Sequence, residues 1–202
     1  MVVSRLAGLV RRDLDKLIAC NVAFFGTFVA VSLYVSFFAP ELHSYVMEIM
    51  AQAMRTDPLL SAAARAYFIK KNPLEALVIT FLVNFFVGSL VTIILPGIAL
   101  LSVPVALLRA ALWGVLFPVG MGDRFCLALP TLVAEGEGYV LSMVPGLNLS
   151  LALLNPKSYG TSSRREALAT VMREIPFYAL LIAIVLIAAA AIEVSTVFLS
   201  IK

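Results

Sequence analysis

The sequence predicts an all-α fold, a polytopic membrane helix bundle of about five spans, and three observations predict it. Hydrophobic residues make up 62% of the chain and charged residues only 13%, with a mean hydropathy of +1.03, against about 45–50% apolar and about 25% charged in a soluble domain. The charges cluster between long apolar runs, with few inside them. The 202 residues suffice for one bundle of about five spans at about 20 residues each. A single integral membrane domain over 1–202 is expected.

The first span runs over about 17–38. Arg5, Arg11, Arg12 and Lys16 precede it and Ala39-Pro40 ends it. Its apolar core is longer than that of a signal peptide, Asp13 and Asp15 lie in the flank, and no small-x-small cleavage site precedes Pro40, so it is expected to stay as an anchor. The second span, about 74–95, starts where Asn72 can cap a helix, Pro73 fits the first helical position and Glu75 falls in the first turn. Pro96-Gly97 ends it. The third, about 98–117, holds Arg109 and is expected to kink at Pro104.

The fourth stretch, 125–154, carries only two charged side chains, Glu135 and Glu137. Pro130, Gly136, Gly138, Pro145 and Gly146 interrupt it. About 30 residues exceed one perpendicular crossing yet are short for two, so a broken or re-entrant segment is expected. The last span, about 175–199, contains Glu193.

Short amphipathic surface helices complete the bundle. Met47, Met50 and Met54 recur at helical spacing, Asp57-Pro58 reads as a cap and first position of a second helix through Ala66, and Ser163-x-x-Glu166 is a capping box. With five crossings, the amino-terminal tail and the segment 155–174 share one side. Each carries four basic residues, and the positive-inside tendency puts them in the cytoplasm. The vote is narrow, because the 41–72 loop also holds four, and a re-entrant hairpin at Glu135 would reverse the side of 155–174.

A net charge of +3 and a pI near 9.0 do not indicate nucleic acid here. The basic residues flank spans, where topology and anionic lipid account for them. Cys20 and Cys126 fall in or beside spans and read as small buried packing residues. His43, the one histidine, is expected to be solvated, and Asn148-Leu149-Ser150 matches a glycosylation acceptor by chance, within apolar sequence.

A carboxylate at bilayer depth needs a partner, a proton or water. On a regular helix Glu135 and Glu137 point about 200° apart, so only one can face a given pocket. For Glu135 two readings stay open: a lock that bonds to backbone or to Arg109, or a pathway or partner contact. Arg109 offers a fork suited to either glutamate. Glu193 either pairs across the bundle or reaches the interface. Asn84 reads as an amide that glues two spans, and Gly88, Gly97 and Gly114 as points of close backbone approach. No zinc, nucleophile-elbow or phosphate-loop signature occurs, so neither catalysis, a metal nor a cofactor is expected.

Phe81-x-x-Asn84, Glu135 followed by Gly146-Leu147, and Ala190-Ala191-Ile192-Glu193 resemble, in order and spacing, the integral membrane family named after stage II sporulation protein M, over about 74–202. The family's histidine four residues before the glutamate is Thr131 here and the glycine after it is Leu132, so a His–Glu pair is not intact. The resemblance implies about five spans and a non-enzymatic scaffold or accessory subunit that binds other membrane or envelope proteins, or further copies of itself. The alternative is a transporter or channel component with a polar path at Glu135, since interrupted helices mark such sites.

Overall fold

The computed structural model describes residues 2–200, and among these every regular element is a helix. Helix α1 (Val2–Arg12) leads through Asp13 into α2 (Leu14–Phe38). Helices α3 (Pro40–Thr56) and α4 (Pro58–Ala64) follow, and α4 continues as a π turn, Arg65–Ile69. Then come α5 (Pro73–Leu82), α6 (Ser102–Leu116), α7 (Asp123–Leu154) and α8 (Arg164–Ser200). Five helical stretches are long and apolar enough to cross a membrane.

The helix starts follow the local chemistry. The Asn72 side chain accepts from the amides of Leu74 and Glu75, Asp57 accepts from Leu59 and Leu60, and Ser163 accepts from Glu166 at 3.4 Å. Each satisfies amides that a helix start leaves open. The capping-box helix is no separate surface helix: it runs on through Pro176 as α8.

Helix α5 does not end as an α-helix. It continues as twelve residues of π-helix, Val83–Ile94, and closes with a 3-10 turn, Leu95–Ala99. A π segment of this length is unusual, and π geometry tends to occur at functional sites. It carries Asn84 and Gly88.

The expected break in 125–154 is absent. Helix α7 is continuous for 32 residues with Pro130 and Pro145 inside it, about 48 Å at 1.5 Å per residue, longer than the ~30 Å hydrocarbon core. The reason lies in its position. Two thirds of its most apolar window is buried, against 28% for each of the other four spans, so α7 is the central post, with neighbours packed closely around its stretch from Gly136 to Ala152. Its glycines mark close packing, not loosened backbone. A Cβ at Gly136 would fall 2.7 Å from the Phe25 ring and one at Gly146 would run into Ser102, while a Cβ at Gly97 would lie 2.7 Å from Gly146 Cα. Helix–helix contact through small residues is how membrane bundles pack tightly. The re-entrant alternative falls with the break.

Three smaller expectations are also corrected. Pro104 does not kink the third span, because that helix starts at Ser102 and a proline in the first turn lacks only an amide the helix would not have used. Cys126 is exposed, although Cys20 is buried. His43 is not simply solvated: its Nδ1 lies 2.9 Å from the carbonyl of Val115, at the open carboxyl end of α6.

The two ends of the bundle differ in chemistry. At one end α1 joins the starts of α2 and α8 and the end of α7. There Arg12 forks onto Glu174 at 2.5 and 2.8 Å, which puts the amino-terminal segment and 155–174 on the same side. Helices α3 and α4 lie at the opposite end.

Candidate functional site

Asn84, Glu135, Arg109 and Glu193 come from four different spans, and the fold brings them to one region. Tyr139, one turn after Glu135 on α7, is at its centre. Its hydroxyl donates to Glu135 Oε1 at 2.5 Å and faces Asn84 Oδ1 at 3.1 Å, and the Arg109 guanidinium lies over its ring at 4.4 Å. Gly88, on the π segment, makes room for this stack: a Cβ there would meet Arg109 Nη1 at 2.8 Å and the Tyr139 ring at 3.0 Å.

Arg109 therefore forms no ion pair with Glu135 or Glu137. Its closest aromatic contact is the Tyr139 ring, a cation–π contact. The expected Arg109–Glu ion pair is corrected: the guanidinium packs on the Tyr139 ring, and it is the Tyr139 hydroxyl that bonds to Glu135. Glu137 points away, as its two-residue offset requires, and accepts from Asn21 on α2 at 3.3 Å.

Glu193 belongs with Glu135. Tyr67, on the π turn after α4, donates to Glu193 Oε1 at 3.0 Å and bonds to Thr80 at 2.9 Å. Burial, and then the nearby Glu193 charge, push the Tyr67 hydroxyl well above its ordinary range. It stays a donor.

Both carboxylates line a cleft of about 630 Å³, walled by Phe68, Trp113, Phe117 and Leu127. A second opening of about 230 Å³, under α4 and bounded by Tyr67, Thr80 and Asn84, reaches the same two acids. Phe68 and Leu127, 60% and 55% exposed, stand at the mouth of the larger one. Arg124 is at its rim, eleven residues and about 16 Å along α7 from Glu135. Among the described residues no ion pair engages either carboxylate.

The hydrogen bonding of Tyr139 allows two proton arrangements. The hydroxyl has one proton and two oxygens before it. With Glu135 ionised, Tyr139 donates to it and Asn84 turns its amide nitrogen to the phenolic oxygen. With Glu135 neutral, the acid donates to Tyr139, which donates to Asn84 Oδ1. Asn side-chain orientation is an assignment that such a network decides. Either state keeps the Tyr139 hydroxyl bonded to both Glu135 and Asn84.

A second polar cluster occupies the other end of the bundle, and sequence reasoning missed it. Asp13, 2% exposed, accepts from Arg12 and Lys16 at 2.7 Å each, from Asn148 at 3.0 Å and from Tyr178 at 2.5 Å. Lys16 also reaches Asn148 Oδ1 at 2.6 Å. Burial alone would raise the Asp13 carboxyl, but these four donors outweigh it and hold it well below the ordinary carboxylate range. Tyr159 beside it is pushed up to about 12, by burial and then by the Asp13 charge. The cluster joins α2, α7 and α8. Asp13 looked like one more flanking charge, while Tyr139, Tyr67 and Tyr178 carried no charge to draw attention. The one available signal was Asn148, an amide in the middle of apolar sequence.

Among the described residues no three His, Cys, Asp or Glu side chains are placed to share a metal ion. No protein-family model, curated protein or solved structure matches the chain.

Proposed function

We propose that this chain is a non-enzymatic component of a membrane transport assembly, with its ligand site at Glu135. One observation carries the proposal: Glu135 and Glu193 line an open, aromatic-walled cleft of about 630 Å³, and Arg109 sits on a tyrosine ring instead of pairing with either acid. A carboxylate kept only to lock a bundle would meet the nearest buried cation, since a charge left uncompensated in a low-dielectric site is costly. Here the acids are left for something else. Purified protein reconstituted into vesicles and assayed for ion and solute flux tests this. Flux that depends on Glu135 supports it, and none across a panel of ions and amphiphilic solutes overturns it.

A second reading, a scaffold or accessory subunit related to stage II sporulation protein M that binds other membrane or envelope proteins, draws support from the way Asn84, Glu135 and Glu193 meet. These are the polar residues of that family resemblance, and they converge on one site. A pull-down in mild detergent that recovers a stoichiometric partner favours it. Purely monomeric protein counts against it.

For either reading we put the protein in the cell membrane with the Arg12–Glu174 end in the cytoplasm. Arg5, Arg11, Lys157, Arg164, Arg165 and Arg173 are exposed at or near that end, in line with the positive-inside tendency. Reporter fusions at the amino terminus and near Gly160 should report the same side.

A further inference from the structure

We propose that the Glu135–Glu193 cleft binds a lipophilic organic monocation, and that a proton competes with it for the same carboxylate. The inference rests on the reading of this cleft as a ligand site and goes on to name the ligand class.

Charge sets the sign. Two carboxylates face the cleft, and the one cation behind them, Arg109, is held at 4.4 Å over the Tyr139 ring. With both acids ionised the floor carries one negative charge more than positive. Arg124 does not correct this, because it is exposed at the rim. The other titratable groups against the acids are Tyr139 and Tyr67, both neutral donors. One positive charge completes the site.

The walls set the rest of the ligand. Trp113, Phe117 and Phe68 present ring surface to the cleft, and aromatic faces attract organic cations more strongly when both are desolvated. A volume of about 630 Å³ lies within the roughly 300–1,000 Å³ of pockets for drug-sized ligands. The mouth passes between exposed apolar side chains, Leu127 and Phe68, with Arg124 at the rim, so a ligand dissolved in the bilayer interface can enter along an apolar edge. A small hydrated metal ion would find these walls unfavourable.

The Tyr139 hydrogen bonds supply the competition. When Glu135 is neutral its proton goes to Tyr139, which turns its own to Asn84, and the negative charge that holds the cation is gone. When Glu135 is ionised, Tyr139 turns back to it. Proton and cation thus occupy the acid in turn, and the Tyr139 hydroxyl keeps both of its partners.

Trp113 is the sole tryptophan in the chain and lines the cleft, so its fluorescence reports occupancy. The whole protein in lipid nanodiscs is titrated with tetraphenylphosphonium, and separately with tetraphenylborate, an anion of nearly the same size and shape. The cation should quench Trp113 saturably and the anion should not. Affinity should fall as the pH is lowered. Glu135→Gln and Glu193→Gln should each weaken the cation roughly tenfold or more, as loss of one partner of a desolvated charge contact does. Equal binding of cation and anion, or no saturable binding of the cation, overturns the proposal. That comparison uses the unmodified protein and holds even where a variant folds poorly. If the cation fails to bind while vesicles still show Glu135-dependent flux of another solute, the ligand class is wrong and the transport reading stands. If the cation binds and no flux occurs, the reverse holds.

Discussion

Replacing Asp13 by alanine removes an acceptor that four donors share, and the cost can be built from the donors one at a time. Arg12 and Lys16 have side chains 43% and 31% exposed, and each keeps a second acceptor, Glu174 or Asn148. Solvent screening limits each of those losses to about 0–1 kcal/mol. Asn148 Nδ2 and Tyr178 Oη differ: both residues are almost wholly buried, and each is left without this acceptor, at about 1–3 kcal/mol apiece. The sum is about 2–8 kcal/mol, with the buried pair supplying most of it. At about 2–4 °C per kcal/mol for a chain of this size, Asp13→Ala should melt at least ~4 °C below the parent by scanning fluorimetry in the same detergent. The pH dependence has a definite sign. Because the folded carboxyl titrates below its ordinary value of about 4, its contribution is fully present above that value and is lost as the pH falls further. The gap between parent and variant should therefore be widest near neutrality and narrow below about pH 4. A variant that melts within ~2 °C of the parent at pH 7, or a gap that widens in acid, would refute the clasp.

Three further outcomes follow from the packing and the site. Gly97→Ala puts a Cβ 2.7 Å from Gly146 Cα with backbone on both sides, so it should cost about 1–3 kcal/mol or more. Gly8→Ala, where a Cβ meets nothing within 4 Å, should be neutral or stabilise α1 by up to ~1 kcal/mol, and the pair compared by thermal melting separates overpacking from helix propensity. Tyr139→Phe should destabilise by about 1–3 kcal/mol and, in a double-mutant cycle, bring the coupling between Arg109→Ala and Glu135→Gln below ~0.5 kcal/mol; coupling that survives the phenylalanine would mean the two charges meet directly. His43→Ala should cost about 0.5–1.5 kcal/mol by freeing the Val115 carbonyl, and an unchanged melting temperature would show that water serves as well.

Where local chemistry decides, the sequence was readable. Asn72-Pro73, Asp57-Pro58 and Ser163-x-x-Glu166 start helices because a side-chain oxygen beside open amides needs no tertiary information. The five apolar stretches were legible from composition for a similar reason. The fourth span misled because glycine and proline carry two meanings: Gly136, Gly138 and Gly146 looked like weak points and are contact points, a distinction that only the neighbours Phe25, Leu186 and Ser102 make. The site was half legible. Asn84, Glu135 and Glu193 stood out as polar groups in apolar surroundings, but Tyr139, which connects Glu135 with Asn84 and Arg109, reads in sequence as an ordinary aromatic. Nothing in Val83–Ile94 announces a π-helix, and Gly88 reads in sequence as one more small residue, while its neighbours Arg109 and Tyr139 come from other spans.

The Asp13 clasp has a consequence for how the chain is made. Its partners Asp13 and Tyr178 are 165 residues apart, and synthesis proceeds at about 5–20 residues per second, so roughly 10–30 s pass between the appearance of the first and the last. Until α7 brings Asn148, the carboxylate at the start of the first span has only water, Arg12 and Lys16 to hold it. Arrival of α8 brings Tyr178 and Glu174 together, and the earliest and latest parts of the chain are fastened in one step. A ribosome product that stops short of α8 lacks Tyr178 and Glu174, and with them that fastening.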